Sequence, residues 1–423
     1  MNILARLARD SLWLSIARFG TQVCMVVVTY LLARRLSLAE FGEYSFIATA
    51  ILIGNTLTTF GSDMYLIREI AAKSTFSRLP SAVTLQITLS CLFIIIVFLF
   101  VPYLPNQTSE SLYALRVYSF ALIPLAFFTV FTSALRGVQK MGSYAWLNLA
   151  VSTLQMIVVS LFVPRGAGVV RLVSLLLMIQ TAAAILAGIL CVLYIPHFGL
   201  GRQFSLGALS DLFFECLPIA MIAFLGILYQ KTSITMLSIL GNVFMVSWFS
   251  AATRTVEAAR IFHFSALTVL YPAMASAYAN EDSDKTFRRS WVLLIMIASG
   301  IATFLFLLAK PLMDIFFGKE YVQAIPVLKI LSLTLIPYTI NSFLSLVFLT
   351  AKQEKLMVRV LLVSLSILVL SNLWLIPKAG QIGASWTILI AETIQSGLLL
   401  FECQAKNLFL QNGVSHELPD LSR

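Results

Sequence analysis

Runs of about 20 nearly uncharged residues recur from one end of this 423-residue chain to the other. Each is long enough, at 1.5 Å per helical residue, to cross a hydrocarbon layer roughly 30 Å thick. A backbone in that layer has no water to bond to, so successive apolar runs of this length must satisfy their own polar groups as helices. Splitting the chain at charged and Pro/Gly-rich punctuation gives twelve spans, at 12–32, 43–62, 82–101, 114–134, 144–163, 172–194, 212–232, 243–270, 290–309, 324–348, 356–376 and 382–401. The expected fold class is therefore all-α, a polytopic membrane protein of twelve transmembrane helices in two six-helix lobes.

Composition removes the other classes. Hydrophobic residues make up 59% of the chain and charged residues 11%, against roughly 45–50% and 25% in a soluble domain. The net charge of +10 comes from Lys and Arg scattered over many short loops, a topology signal and not a nucleic-acid footprint. On the twelve-span map sixteen Lys and Arg fall on the side of both termini and ten on the other, with Arg18, Arg254 and Arg260 left inside spans. The positive-inside rule then puts both termini in the cytoplasm. The first run is long enough to span and lacks a small-residue cleavage site, so it reads as a span and not as a signal peptide.

Chemistry-bearing motifs are few. The five cysteines lie in apolar stretches without redox or zinc spacing, and His197, His263 and His416 are far apart. No cofactor and no metal are expected. No stretch matches the phosphate loop G-x-x-x-x-G-K-[ST]. The longest exterior loop holds about a dozen residues, too few for a soluble catalytic domain or for the large loop of a membrane glycan polymerase or ligase. The chain is read as no enzyme.

A weak internal repeat supports the two lobes. Phe162-Val163-Pro164-Arg165-Gly166-Ala167-Gly168 closes the fifth span and Leu375-Ile376-Pro377-Lys378-Ala379-Gly380 the eleventh, with the prolines 213 positions apart. Leu135 and Gln139 match Leu349 and Gln353 at an offset of 214. Six spans per half give lobes of equal orientation, residues 1–205 and 206–423, related by an axis along the membrane normal and enclosing a central cavity.

Ionisable residues within spans cost roughly 2.5–3.5 kcal/mol each on insertion scales, so they face a wet cavity or one another. Arg18 lies about 9 Å into the first span, where it either snorkels to the cytoplasm or lines the cavity. Arg254, Glu257 and Arg260, at i, i+3 and i+6, share one broad helix face, either as an ion-pair ladder or with one arginine left for a ligand. Lys231 belongs to the cavity or to the exterior interface. Glu392, about midway along the last span, is either a buried hydrogen-bonded group or an ion-exchange site; Glu257 is a second carboxylate, discounted because arginines flank it. Arg18, Lys231, Arg254 and Arg260 outnumber Glu257 and Glu392 by two. That sign suits an anionic headgroup, a diphosphate above all, and not an organic cation.

The pattern resembles the Wzx-type flippases of lipid-linked oligosaccharides, within the multidrug/oligosaccharidyl-lipid/polysaccharide exporter superfamily. The clearest part is Leu31-Leu32-Ala33-Arg34-Arg35-Leu36-Ser37-Leu38-Ala39-Glu40-Phe41-Gly42-Glu43-Tyr44, followed by Phe60-Gly61-Ser62-Asp63 and Ile67-Arg68-Glu69. Leu135 through Tyr144 and Pro377 through Trp386 are similar to the family's loop after the fourth span and its approach to the twelfth. The resemblance implies a MATE-like alternating-access carrier that moves an undecaprenyl-diphosphate-linked O-antigen or exopolysaccharide repeat unit to the periplasmic leaflet of a bacterial inner membrane. It implies Arg18 and Arg254 as substrate-binding residues, with Arg260 and Lys231 behind them; exchange of H+ or Na+, where transport needs it, is read from position at mid-span Glu392, with Glu257 second. Implied partners are the membrane, the lipid-linked glycan, a glycan polymerase and a chain-length regulator. The alternative is a cation-coupled multidrug exporter of the same fold.

Overall fold

The computed structural model of the protein describes residues 3–73, 75–195, 206–260, 283–350 and 353–405, and among these every regular element is helical. In chain order the helices are α1 (Ile3–Arg35), α2 (Leu38–Thr59), α3 (Ser62–Lys73), α4 (Leu79–Phe100), α5 (Ser109–Ser119), α6 (Leu122–Gly137), α7 (Met141–Phe162), α8 (Val169–Tyr194) and α9 (Leu206–Leu240). There follow α10 (243–260), α11 (Ser283–Leu307), α12 (Ala309–Phe316), α13 (Ala324–Leu333), α14 (Leu335–Thr350) and α15 (Glu354–Ala405).

Among the described residues seven helices are long and apolar enough to cross a membrane, or nine if the bent pairs α2/α3 and α11/α12 each count as one span. One of the seven, Lys355–Ala405, has 51 residues, about 77 Å of helix and more than twice one crossing. It breaks at Gly380, whose φ of 53° and ψ of −130° are non-helical, three residues after Pro377. The expected eighth span reaches the described residues only over 243–260; the rest of it, and the loop before α11, lie outside them.

Local chemistry sets the breaks. Ser37 and Glu40 form a reciprocal capping box that starts α2, the Ser37 backbone N–H donating to Glu40 Oε2 at 2.7 Å. Phe60 and Gly61 then adopt left-handed φ of 51° and 67°, and α2 bends by 41° into α3. A Cβ on Gly61 would meet the Ile219 side chain of α9, so the turn also permits a close approach.

The repeat reappears as geometry. In each half one span is a broken pair, α5/α6 and α13/α14, and Leu122–Gly137 lies 213 positions before Leu335–Thr350 at both ends. Both pairs close with an N–H bonded five residues back, Lys140 to the Leu135 carbonyl and Gln353 to that of Phe348, each at 2.9 Å. The positive-φ residues Gly166 and Gly380 are 214 positions apart.

The buried core is not uniform along the molecule. At the end carrying Arg34, Arg35 and the 101–108 loop, one continuous apolar cluster takes residues from both halves, among them Leu32, Phe41, Leu172, Val246, Phe317 and Leu328. At the other end two separate clusters replace it. One holds Leu66, Leu79, Leu135 and Leu147, joined by Leu212 and Cys216 of α9; the other holds Leu294, Phe343, Phe348 and Leu399. The core is continuous at one end, which seals the halves together, and divided at the other, where α9 stays packed on the N-terminal helices through Phe60 with Phe213 and Arg78 with the Ala208 carbonyl.

Candidate functional site

Where the seal begins, α1, α10 and α12 enclose a cavity of about 120 Å³. Helix α1 supplies Gln22, Met25, Val26 and Thr29, a stripe at 3–4-residue spacing, and α10 supplies Arg254, Thr255, Glu257 and Ala258. Phe316 and Phe317 form the roof. Arg18 is exposed and stands four residues before Gln22, so it continues the same stripe about one turn toward the divided end.

The seal above the cavity joins elements from both halves. Arg34 Nη2 donates to the carbonyls of Asp314 and Ile315 at 3.2 and 2.6 Å, filling acceptors left open at the end of α12. Phe41 meets Phe317 and Tyr321 edge-on, with centroids 6.4 and 5.9 Å away. Gly42 lies against the Val243 carbonyl and the Ser247 hydroxyl, and that hydroxyl donates to the Leu38 carbonyl. Asn106 Nδ2 reaches the Ile239 carbonyl at 2.9 Å.

The charged groups divide differently from the expectation. Six residues turn a helix by about 600°, so Arg254 and Arg260 cannot share a face. Arg254 points to the cavity between the halves, whereas Arg260 lines a second cavity, of about 280 Å³, inside the C-terminal half. Glu257 lines both. It accepts from Lys231 Nζ at 3.1 Å and Arg254 Nη1 at 3.4 Å. Lys231 is thus held inside by a carboxylate, not placed at an exterior interface. The Arg254 side chain keeps 38% exposure while ion-paired, against 14% for Lys231, so of the two it is the cation open to a ligand.

The second cavity is walled by polar stripes on four helices, each at 3–4-residue spacing. Examples are Tyr338, Asn341 and Ser342 of α14, and Glu392 and Gln395 of α15. Glu392 is buried and accepts from Asn341 Nδ2 at 2.6 Å; Ser396 Oγ donates to Asn341 Oδ1 at 2.8 Å. Arg260 stacks over the Tyr338 ring at 4.0 Å. A separate neutral network, Thr387 to Asn372 Oδ1 at 2.8 Å and Asn372 to Ser233 Oγ at 3.1 Å, ties α15 to α9. No group of three or more His, Cys, Asp or Glu suited to a metal ion occurs among the described residues.

Sequence reasoning brought Arg254, Glu257, Lys231, Arg260 and Glu392 into view, and the fold gathers them around the two cavities. It missed Gln22, Tyr229, Tyr338 and Gln395. Their register was the available signal: Gln22 follows Arg18 by four residues, and Gln395 follows Glu392 by three.

The sequence model for a polysaccharide biosynthesis protein matches residues 7–278. The chain belongs to that family. No curated protein sequence matches it. Among solved structures, this polysaccharide biosynthesis protein is similar to the lipid II flippase MurJ in an inward closed conformation, with a TM-score of 0.77 and 15% identity over 94% of this chain and 89% of that one. It is similar to an inward-facing multidrug resistance MATE family transporter of the MOP superfamily, with a TM-score of 0.66 and 14% identity over 95% and 96% of the two chains. A third is a MOP superfamily transporter from Pyrococcus furiosus described by the reversed polarity of its binding pocket, with a TM-score of 0.64 and 16% identity over 95% of each chain. The family member described here is thus a multi-pass membrane protein with the fold shared by MOP superfamily transporters.

Proposed function

We propose that the protein is a flippase, not an enzyme, that moves an undecaprenyl-diphosphate-linked oligosaccharide, an O-antigen or exopolysaccharide repeat unit, across a bacterial inner membrane by alternating access. Both termini are cytoplasmic in this reading, twelve spans form lobes 1–205 and 206–423, and the divided end faces the cytoplasm. The observation that carries it is the cavity between the halves, where half-exposed Arg254 faces the α1 stripe that Arg18 extends. A diphosphate accepts arginine forks there in a site of low dielectric. A glycan polymerase and a chain-length regulator would act on the lipid once it has crossed.

The test is transport by purified protein in vesicles. A polyprenyl-diphosphate glycan in the inner leaflet should become accessible to an external sugar-modifying enzyme faster with protein than without. Extrusion of an organic cation driven by a proton or sodium gradient, with no lipid movement, would instead establish the drug-exporter alternative.

Drive is a separate question. A headgroup carrying about −2 that moves outward across an inside-negative 100 mV gains up to about 4.6 kcal/mol, at roughly 2.3 per charge. Arginines moving with the lipid would cancel that gain and make H+ or Na+ exchange at Glu392 necessary. Glu257 is the weaker candidate, since Lys231 and Arg254 occupy it. Glu392→Gln keeps the Asn341 contact in shape but removes the charge. It should slow flipping and flatten its pH dependence at clamped potential. An unchanged rate and profile would remove Glu392 from coupling and leave a potential-driven uniport.

A further inference from the structure

Of the nine buried side-chain atoms without a regular hydrogen bond among the described residues, three line one cavity. Among the described residues, Tyr229 Oη, Arg260 Nε and Gln395 Oε1 are buried and make no hydrogen bond of regular geometry, and all three residues line the cavity inside the C-terminal half. They come from α9, α10 and α15. An unsatisfied buried polar atom destabilises the fold, and such atoms are rare. Three converging on one hollow mark a site built for a ligand.

Size and charge say which ligand. The cavity holds about 280 Å³, against the roughly 30 Å³ share of one liquid water, so a bare ion leaves it mostly empty. Its charged wall has no large excess of either sign: Arg260 and Glu392 offset each other, and Glu257 is taken up by Lys231 and Arg254. A diphosphate would need an excess of cations and an organic cation an excess of carboxylates. Donors at Tyr229 and Arg260 mixed with acceptors at Gln395 and Glu392 suit a neutral ligand whose groups both give and take protons, which is the hydroxyl pattern of a sugar.

Position links this site to the other cavity. Arg254 and Arg260 are about 9 Å apart along α10 and about 120° apart around it, so a diphosphate on the first and the ring attached to it at the second would have to bend around the helix. Glu257, lining both cavities, stands between them. We propose that the C-terminal cavity is a saccharide subsite, which takes the sugar joined to the diphosphate while the diphosphate itself lies on Arg254. This rests on the flippase reading and assigns Arg260 to the sugar. Tyr229, Arg260 and Gln395 are then specificity-determining residues.

The experiment is equilibrium binding to the full-length protein in lipid nanodiscs. The probes are polyprenyl diphosphate without sugar and the same lipid carrying one glucose, galactose, N-acetylglucosamine or N-acetylgalactosamine. The native protein should prefer at least one glycosylated lipid over the bare one by roughly tenfold or more, the scale of one or two neutral hydrogen bonds. Gln395→Met removes an atom that has no partner in the empty protein, so its melting temperature should stay the same or rise, whereas Tyr229→Phe gives up the hydroxyl that faces Glu392 and tests the preference alone. Both variants should lose the preference and still bind the bare diphosphate lipid like the native protein. A cysteine at position 345, from Ser345→Cys on the cavity wall, should be shielded from a thiol reagent by the preferred glycosylated lipid and not by the bare one. Equal binding of the bare lipid and all four glycolipids by the native protein would overturn the subsite and leave the flippase reading standing. Loss of bare-lipid binding in the two variants would also overturn it, since the cavity would then serve the fold or the diphosphate. A native protein that binds none of the five lipids, the bare one included, would overturn both readings.

Discussion

Cells whose only copy of the protein carries Arg254→Ala should lose surface glycan while keeping the protein at its normal level. The diphosphate would forfeit a charge-assisted hydrogen bond of about 1.5–3 kcal/mol, equivalent to roughly 10–150-fold in affinity. Protein level should hold because Glu257, deprived of Arg254, keeps Lys231 at 3.1 Å. Arg18→Ala should behave alike, since Arg18 is exposed on the stripe that continues to Gln22. Lysine at either position should restore display in part, keeping the charge and losing the bidentate fork. Glycan staining against membrane-fraction immunoblots reads both quantities. Normal display in both alanine variants would take the two arginines out of transport.

A comparable loss should follow from Gly42→Leu, which adds no charge and touches no ligand. The Cβ at position 42 would press on the Val243 carbonyl and the Ser247 hydroxyl of α10, and backbone cannot turn aside as a side chain can. Overfilling a packed contact costs typically 1–3 kcal/mol and shifts helices, and here the helices belong to opposite halves. The sealed end should therefore stay ajar and glycan display should fall at least about tenfold, by the same conversion of energy to ratio. A cysteine introduced by Gln22→Cys should react with an impermeant maleimide from outside in the Gly42→Leu background and resist it otherwise. Gly300→Leu is the control, because nothing lies within 4 Å of its Cβ position. Normal display together with a protected cysteine in Gly42→Leu would move the seal elsewhere.

The apolar runs made helices and membrane legible because bilayer thickness fixes span length, and Pro164 with Pro377 announced a duplication that the broken pairs α5/α6 and α13/α14 display as structure. Four things resisted. The span ends at 62 and 309 fall beside the breaks at Phe60 and Leu308, but the sequence shows only an end there and not that α3 and α12 continue beyond it at an angle. The separation of Arg254 from Arg260 was contained in helical periodicity, yet adjacency in sequence suggested one face. The partnership of Lys231 with Glu257 depends on how α9 crosses α10, a tertiary fact with no local signature. Tyr338 and Gln395 were passed over because an aromatic or amide within a span usually anchors or glues helices; only the fold shows four such stripes facing one another.

The uneven core has a consequence for the energy economy of a cell. A membrane that stores a proton gradient cannot tolerate a continuous water path, and a passage wide enough for a sugar would be one. Here a single apolar cluster, with Leu32, Phe41 and Phe317 among its members, spans both halves at one end while the other end is divided. Water entering from the divided end meets that cluster before it can cross. A short-circuit would require the seal to part before the opposite end has closed, and parting it exposes apolar side chains and strips Arg34 of its carbonyl partners. In this conformation the apolar cluster insulates, and the water its two cavities can hold stops short of the far side.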